Sequence, residues 1–244
     1  MTTNTNSHNR YLLILVTIFA IEWIALAIKP YDRHDWLLEN ALVFLFIVIF
    51  ALTYKRFTFS KLSMTLIFLF LCLHEVGAHY TYAEVPYNIW TQEVLGKSLN
   101  SALGWERNHF DRFAHFLYGL LLAYPVREVF LRIANVRGFW GYFFPIDITM
   151  STAMIFELFE WAAAELFGGD LGVAYLGTQG DIWDAHKDML LASIGAVIAM
   201  TITIAVNMCL RNDFAREWVN SLKVKIHQPS GEDEIKRLWR KRKK

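Results

Sequence analysis

The stretch that decides the fold of this chain is residues 189–210, which read MLLASIGAVIAMTITIAVNMCL. This run contains no charged side chain. An α-helix needs roughly 20 predominantly apolar residues to cross the hydrocarbon core of a bilayer. A run of this length and composition is therefore typical of a membrane-spanning helix.

Five further apolar runs precede it, and they extend the same pattern over most of the chain. The run with the weakest signal contains Pro125, which lacks a backbone N–H and is expected to end or kink its helix. Hydrophobic residues make up 55% of the chain, which exceeds the 45–50% usual in soluble domains. The sequence thus predicts an all-α membrane bundle of about six transmembrane helices over residues 1–210, followed by a basic tail over 211–244. The five further runs are 11–28, 37–53, 62–78, 113–130 and 141–166.

Two alternatives to this reading concern the first span and the cysteines. The first span could instead be a cleaved signal peptide, because Ala25-Leu26-Ala27 resembles a cleavage site, but its apolar stretch is long for a signal. Cys72 and Cys209 both lie inside apolar runs, which argues against a secreted scaffold held together by disulfides. We therefore expect the first span to be retained.

The basic residues indicate the orientation of the bundle. If both termini lie on one side of the membrane, that side carries most of the 24 Lys and Arg residues. Basic residues are enriched in cytoplasmic loops. We therefore predict cytoplasmic termini, with residues 80–108 and 168–180 outside. Glycines in the second of these loops could let it act as a mobile lid, although ordinary turn geometry is the more common reason for such glycines.

Polar residues that a spanning helix normally avoids cluster at four helix ends on the predicted outer side. Asp181, Asp184 and Asp188 follow an i, i+3, i+7 spacing, which sets them on one helix face. Ionisable groups within spans are costly and tend to face a bundle interior or a wet cavity. We therefore expect one outward-facing pocket between the third, fourth, fifth and sixth spans. Its predicted members are His74, His79, Asp111, His115, Glu157, Glu160, Asp184 and Asp188.

The residue types suggest three roles within this pocket. Carboxylates and imidazoles can transfer protons or bind a divalent metal ion, and basic or phenolic groups can bind a substrate. Polar residues at helix ends can also serve only as interfacial anchors, or pair as buried salt bridges without any metal. The first two spans are expected to pack at the periphery and to contribute little beyond Glu22. The predicted roles are catalysis by His115, Glu157, Glu160, Asp184 and Asp188, substrate binding by Arg107, Arg112, Lys187 and Tyr82, and metal binding by His74, His79, Asp111 and Asp181.

The basic tail ends in a short amphipathic segment. Ile235, Leu238 and Trp239 alternate with Lys and Arg residues. Such a segment is expected to lie on an anionic inner leaflet. Membrane lipids are therefore expected partners, whereas nucleic acid is not.

Several short segments of the six predicted spans and their connections together resemble the YjdF-type family of uncharacterised bacterial inner-membrane proteins. The resemblance runs from the first span through the sixth and implies a multi-pass location in the inner membrane, without an established activity. The segments that carry it are His74-Glu75, Tyr80-Thr81-Tyr82 with Pro86, residues 107–112, His115-Phe116, residues 157–161 and residues 179–189.

A more distant resemblance is to VanZ-like proteins, through Asp111-Arg112, His115-Phe116 and the pair Glu157 and Glu160. It implies a core of four helices, spans three to six within residues 62–210, with two helices added in front. Arg112 and Glu160 differ from the Lys and Gln of that family, which puts a transferred role in glycopeptide resistance in doubt.

Three functions remain open from the sequence. The first is an enzyme acting at the outer leaflet on a lipid or lipid-linked substrate, and the second is a proton- or cation-coupled transporter. The third is a structural or regulatory membrane protein whose polar stripes only hold the helices together. A transporter needs polar residues that continue inward, whereas residues 66–73 and 189–210 carry no charge, so we favour the enzyme.

Overall fold

The computed structural model describes residues 5–167, 178–225 and 231–242. These residues form ten helices and no strand, which confirms the predicted all-α fold. The helices are α1 (Thr5–Leu26), α2 (Arg33–Thr53), α3 (Lys61–His79), α4 (Tyr87–Leu95), α5 (Leu99–Leu103), α6 (Phe110–Arg132), α7 (Trp140–Phe167), α8 (Asp184–Leu210), α9 (Phe214–Ser221) and α10 (Glu232–Arg242).

Each of the six predicted spans coincides with one of the six long helices. Within the described ranges, five of these helices, α1, α2, α3, α7 and α8, are long and apolar enough to cross a membrane. The sixth, α6, is more polar, but it packs against α3, α7 and α8 and is thereby the central helix of the bundle. Its neighbours, rather than lipid, surround much of its surface.

Of the two outcomes predicted for Pro125, an end or a kink of its helix, the end is wrong. Helix α6 continues through Pro125 to Arg132. Proline removes a single backbone hydrogen bond from the helix, and packing against three neighbouring helices holds the remaining turns together.

The closest contact between helices lies where α6 crosses α8. A Cβ atom added to Gly119 would lie 1.8 Å from the carbonyl oxygen of Ala192, and one added to Gly195 would lie 2.2 Å from that of Phe116. A residue larger than glycine therefore does not fit at either position. Small residues at a helix crossing let the two backbones approach closely and pack well in a membrane.

The small-residue contact continues away from the polar ends of these helices. Ala123 on α6 and Ala196 on α8 are fully buried in a core that also contains Tyr142 and Met200. The Tyr142 hydroxyl accepts a hydrogen bond from Asn207. Phe214 and Trp218 of α9 pack against the same core, so the first part of the predicted tail contacts the bundle.

The two N-terminal helices, α1 and α2, differ in how much they contribute to the buried polar interior of the bundle. Helix α1 packs along α3, where Tyr11 and Thr65 share a hydrogen bond, and most of its surface is exposed. Helix α2 buries Asp35, Glu39 and Asn40, and it also lines the cavity described below. The prediction that both helices contribute little beyond Glu22 is therefore wrong for α2.

A buried carboxylate joins the start of α3 to the end of α6. Glu128 accepts hydrogen bonds from the Ser60 backbone N–H at 2.9 Å, the Ser60 hydroxyl at 2.8 Å and the Ser63 hydroxyl at 2.5 Å, and it pairs with Arg132. Because Ser60 is also the N-cap of α3, this contact fixes α3 beside α6 at the end opposite the polar cluster.

The long connection between α3 and α6 contains helices α4 and α5, which the sequence analysis did not predict. Each ends at a glycine in the left-handed region, Gly96 at φ 73° and Gly104 at φ 69°. The predicted lid over 168–180 lies largely outside the described residues. The side of the membrane on which each terminus lies stays a prediction.

We predict that adding one methyl group at the α6–α8 crossing destabilises the protein. The Gly195→Ala variant would force the two backbones apart, and overpacking of this kind costs about 1–3 kcal/mol or more. Thermal denaturation of the detergent-purified protein measures the effect as a lower melting temperature.

The matched control is Ala205→Val, which adds more volume at an exposed position of the same helix. It should melt close to the wild-type temperature. Equal melting temperatures for Gly195→Ala and the wild type would contradict the close crossing.

Candidate functional site

The polar ends of α6, α7 and α8 meet in one cluster. One carboxylate oxygen from each of Asp111, Asp184 and Asp188 lies within 4.8 Å of the others. The Nε2 atom of His115 lies 3.3 Å from Oε1 of Glu157 and 3.7 Å from Oδ1 of Asp111. We call these five residues the acid–histidine cluster.

The α6–α8 crossing accounts for this convergence. Asp111 and His115 lie eight and four residues before Gly119, so all three share one face of α6. Asp188 lies four residues before Ala192 and seven before Gly195 on α8. The faces that bring the two backbones together are therefore the faces that carry the acids and the histidine.

Ion pairs tie the segment before α8 to the start of α6. Arg107 binds both oxygens of Asp184, at 2.8 and 3.0 Å, and the Thr178 carbonyl oxygen at 2.9 Å. Arg112 donates to Asp184 at 2.9 Å and to Asp181 at 2.5 Å. Bidentate arginine–carboxylate pairs combine strength with a fixed geometry.

Lys187 completes this arrangement by pairing with Asp181 at 2.5 Å. Its ammonium group and the Trp183 backbone N–H hold the pKa of Asp181 well below its usual value, which keeps this carboxylate charged. The predicted substrate-binding residues Arg107, Arg112 and Lys187 thus all pair with acids of the α8 region, as the salt-bridge alternative expected. Asp181, predicted as a metal ligand, contacts these bases rather than the acid–histidine cluster.

His74 and Tyr82 form a separate hydrogen-bonded pair beside the cluster. The Tyr82 hydroxyl lies 2.5 Å from Nδ1 of His74, whose Nε2 lies 3.3 Å from the Glu39 carbonyl oxygen. Burial raises the pKa of the Tyr82 phenol, so this group stays protonated and can donate. Both nitrogens of His74 are therefore engaged in contacts other than a metal.

The backbone before Tyr82 explains its position. Thr81 and Tyr82 have positive φ angles of 53° and 52°, a conformation that non-glycine residues adopt rarely. The turn brings the Tyr82 ring against Gly77, where an added Cβ would lie 2.5 Å from Cε1 of the ring. Residues held in such conformations occur often at ligand sites.

His79 is not brought into the cluster. Its Nδ1 atom lies 2.6 Å from the Leu26 carbonyl oxygen at the end of α1, and its ring packs edge-on against Tyr80. The contacts of this predicted metal ligand join α1 to α3 instead.

A cavity of about 450 Å³ begins at the acid–histidine cluster and runs between α2, α3, α6 and α7. Ligand pockets in proteins commonly have volumes of about 300–1,000 Å³. Its far end is apolar and reaches Phe59, Pro125 and Val129. Five polar side chains of its wall lie near the cluster, those of His74, Tyr82, Asp111, His115 and Glu160. The hydroxyls of Tyr118 and Thr152, which share a hydrogen bond, also line the wall.

Two oxygens of the acid–histidine cluster are buried without a hydrogen bond. They are Oδ1 of Asp188 and Oε1 of Glu157, and their side chains are almost fully buried. Burial of an unpaired carboxylate is costly. Such oxygens suit binding of a cation or a proton, and the nearby His115 can exchange a proton with Glu157.

Glu39 and Glu75 were not predicted as site residues. Both are buried, and within the described ranges neither Glu75 oxygen has a hydrogen-bond partner although Asn40 lies close by. The i, i+4 spacing of Asp35 and Glu39 near the start of the second span could have indicated that both are buried. Residues at this spacing share one face of a helix, and in α2 this face points into the bundle.

We predict that Asp184→Asn strongly destabilises the protein. Removing the charge takes one of two shared carboxylates from the guanidinium groups of Arg107 and Arg112 and leaves Asp181 to pair with both. Removing one partner of a buried pair costs up to roughly 3–5 kcal/mol. Thermal or denaturant unfolding in detergent measures the loss. Glu106→Gln is the control, because Glu106 is exposed in the same connection; a similar small effect of both variants would refute the role of the ion pairs.

The depressed pKa of Asp181 predicts a pH dependence. A carboxylate whose folded-state pKa lies below its unfolded value adds stability above the unfolded value of about 4, and this stability is lost on acidification. Lys187→Met removes the main cause, so the variant should melt below the wild type at pH 7, with the difference shrinking below about pH 4. Lys97→Met, at an exposed site, should melt as the wild type does at both pH values. A melting-temperature difference between Lys187→Met and the wild type that does not change with pH would contradict the Lys187–Asp181 ion pair.

Comparisons with known proteins agree with this architecture. The model of a family described as "Predicted membrane protein (DUF2238)" matches residues 11–208. The inner membrane protein YjdF of Escherichia coli (strain K12) is 37% identical over 171 residues, which cover 70% of this chain and 78% of the relative. No solved structure matches the chain.

These comparisons confirm the predicted resemblance and the predicted location as a multi-pass membrane protein. The more distant resemblance to VanZ-like proteins stays a prediction. The family model spans residues 11–208, which include most of each of the six long helices. The chain therefore belongs to the DUF2238 family of membrane proteins.

Proposed function

We propose that this protein is an enzyme that binds a membrane lipid or lipid-linked molecule, with the apolar chain in the cavity and the polar head group at the acid–histidine cluster. The observation that carries the proposal is that Asp111 and His115 belong both to the cluster and to the cavity wall. One ligand with a polar and an apolar part can therefore contact both regions.

The composition of the cavity wall supports an elongated apolar ligand. Apolar side chains from four different helices form most of the wall, among them Val43, Phe70, Leu122 and Phe156. Apolar side chains of this kind favour a hydrocarbon chain over a hydrated solute. The few polar groups at one end would then fix the position of the head group.

The cluster supplies groups for acid–base chemistry on such a head group. His115, beside Glu157 and Asp111, is suited to act as a general base. The Tyr82 hydroxyl donates its proton to His74, so its oxygen is left to accept a hydrogen bond at the same end of the cavity. Glu160 adds a second carboxylate to that end.

The alternative of a proton- or cation-coupled transporter receives less support. A transport path would need polar side chains toward the opposite end of the bundle. There the described part of the cavity is lined by Pro125, Val126 and Val129, and the buried Glu128 is held by Ser60 and Ser63. The acidic and histidine side chains of the cavity wall are thus concentrated at the end beside the acid–histidine cluster.

The first test is the lipid content of the full-length protein purified in a mild detergent. Leu122→Trp fills the cavity, and it should reduce the lipid that copurifies several-fold, as measured by mass spectrometry. Leu190→Trp is the control, because Leu190 is 57% exposed on the lipid side of α8. Equal lipid in both variants would contradict binding in the cavity.

The second measurement separates binding from catalysis. Overproduction of the wild type should change the membrane lipid composition. His115→Asn should abolish this change while retaining copurified lipid, because the apolar wall is unchanged. Lipid profiles of the two producing strains measure this difference. Identical profiles for wild type, His115→Asn and an empty-vector strain would contradict an enzymatic role.

A further inference from the structure

We infer that Asp111, Asp184 and Asp188 bind one divalent cation that prefers oxygen ligands, such as Mg²⁺, Mn²⁺ or Ca²⁺. The binding of the ion is argued from these carboxylates alone. Its task rests on the proposed function, because an ion here would polarise an oxygen of the bound head group.

The spacing of the three carboxylates fits a single ion. One oxygen from each residue lies within 4.8 Å of the others. Ligand distances are about 2.0–2.1 Å for Mg²⁺ and 2.3–2.6 Å for Ca²⁺. Two oxygens on opposite sides of such an ion are therefore roughly 4–5 Å apart, so one ion can contact all three groups.

A second and independent observation is the unpaired oxygen of Asp188. Asp188 is 2% exposed, and its Oδ1 atom has no hydrogen-bond partner among the described residues. Buried charges in proteins are paired or coordinate a metal. Asp188 is one of the three residues of the group, and a bound cation would satisfy this oxygen.

The charge balance of the site points to a divalent ion. Six carboxylates, those of Asp111, Glu157, Glu160, Asp181, Asp184 and Asp188, lie with three bases, Arg107, Arg112 and Lys187. With all of these groups ionised, three negative charges are left over. One divalent cation and one proton would balance them; three protons would do the same, and the experiment distinguishes the two cases.

The neighbouring bases would orient the ligands rather than replace the ion. Arg107 donates hydrogen bonds to both carboxylate oxygens of Asp184 and thereby fixes the orientation of this carboxylate. Groups that hold a metal ligand in place from outside strengthen metal binding by about 10–100-fold. An all-carboxylate donor set selects hard cations over zinc or copper.

Mn²⁺ binding to the full-length protein tests the inference. The protein is purified in detergent, treated with a chelator and titrated with Mn²⁺, and free ion is followed by electron paramagnetic resonance. The wild type should bind one ion per chain. Asp188→Asn and Asp111→Asn should each bind it at least about tenfold more weakly.

Asp147→Asn is the matched control, because it makes the same change at an exposed position of α7, and it should bind Mn²⁺ as the wild type does. If Asp188→Asn does not fold, Asp188→Glu keeps the charge, and it should bind Mn²⁺ with an altered resonance signal.

Two results would overturn the inference. One is a folded wild type that binds no ion at about 1 mM Mn²⁺, the weak end of protein Ca²⁺ sites, which would indicate that protons balance the charge. The other is unchanged binding by a folded Asp188→Asn or Asp111→Asn variant. Lipid is measured in the same samples, so that either of these results with lipid retained by the wild type rejects this inference alone and leaves the proposed function standing.

Discussion

The rest of the structure depends on the close crossing of α6 and α8. Gly119 and Gly195 leave so little space that an added Cβ would collide with the backbone of the facing helix. Because Asp111, His115 and Asp188 lie on these same faces, the backbone contact also sets the distances within the acid–histidine cluster. Helix packing and the chemistry of the site are thus consequences of one contact.

The charges at the start of α8 can be buried because neighbouring bases satisfy them. Arg107, Arg112 and Lys187 neutralise Asp181 and Asp184 and fix the start of α8 against the start of α6. Of the carboxylates that remain, Asp111 and Glu160 line the cavity. This division separates a structural part of the site, which holds the helices, from a part that is available to a ligand.

Much of this could be predicted from the sequence, and the rest could not for physical reasons. Apolar run length located all six long helices, and the i, i+4 spacing of Asp111 and His115 located one face of the cluster. Spacing does not show which partner a charge finds, so Arg107 and Lys187 were assigned to substrate although they pair with acids. The part played by Glu39 and the course of α6 through Pro125 depend on packing between helices, which hydropathy does not record.

The central claim is that a polar cluster on α6 and α8 opens into an apolar cavity that accepts a lipid chain. An electron cryomicroscopy map of the full-length protein in native-lipid nanodiscs, at a resolution that shows side chains, tests it most directly. The account predicts elongated density along α6, from His115 toward Val129, with its broader end beside Asp111. A cavity filled by protein side chains, or acids of α6 and α8 that face lipid rather than each other, would contradict it.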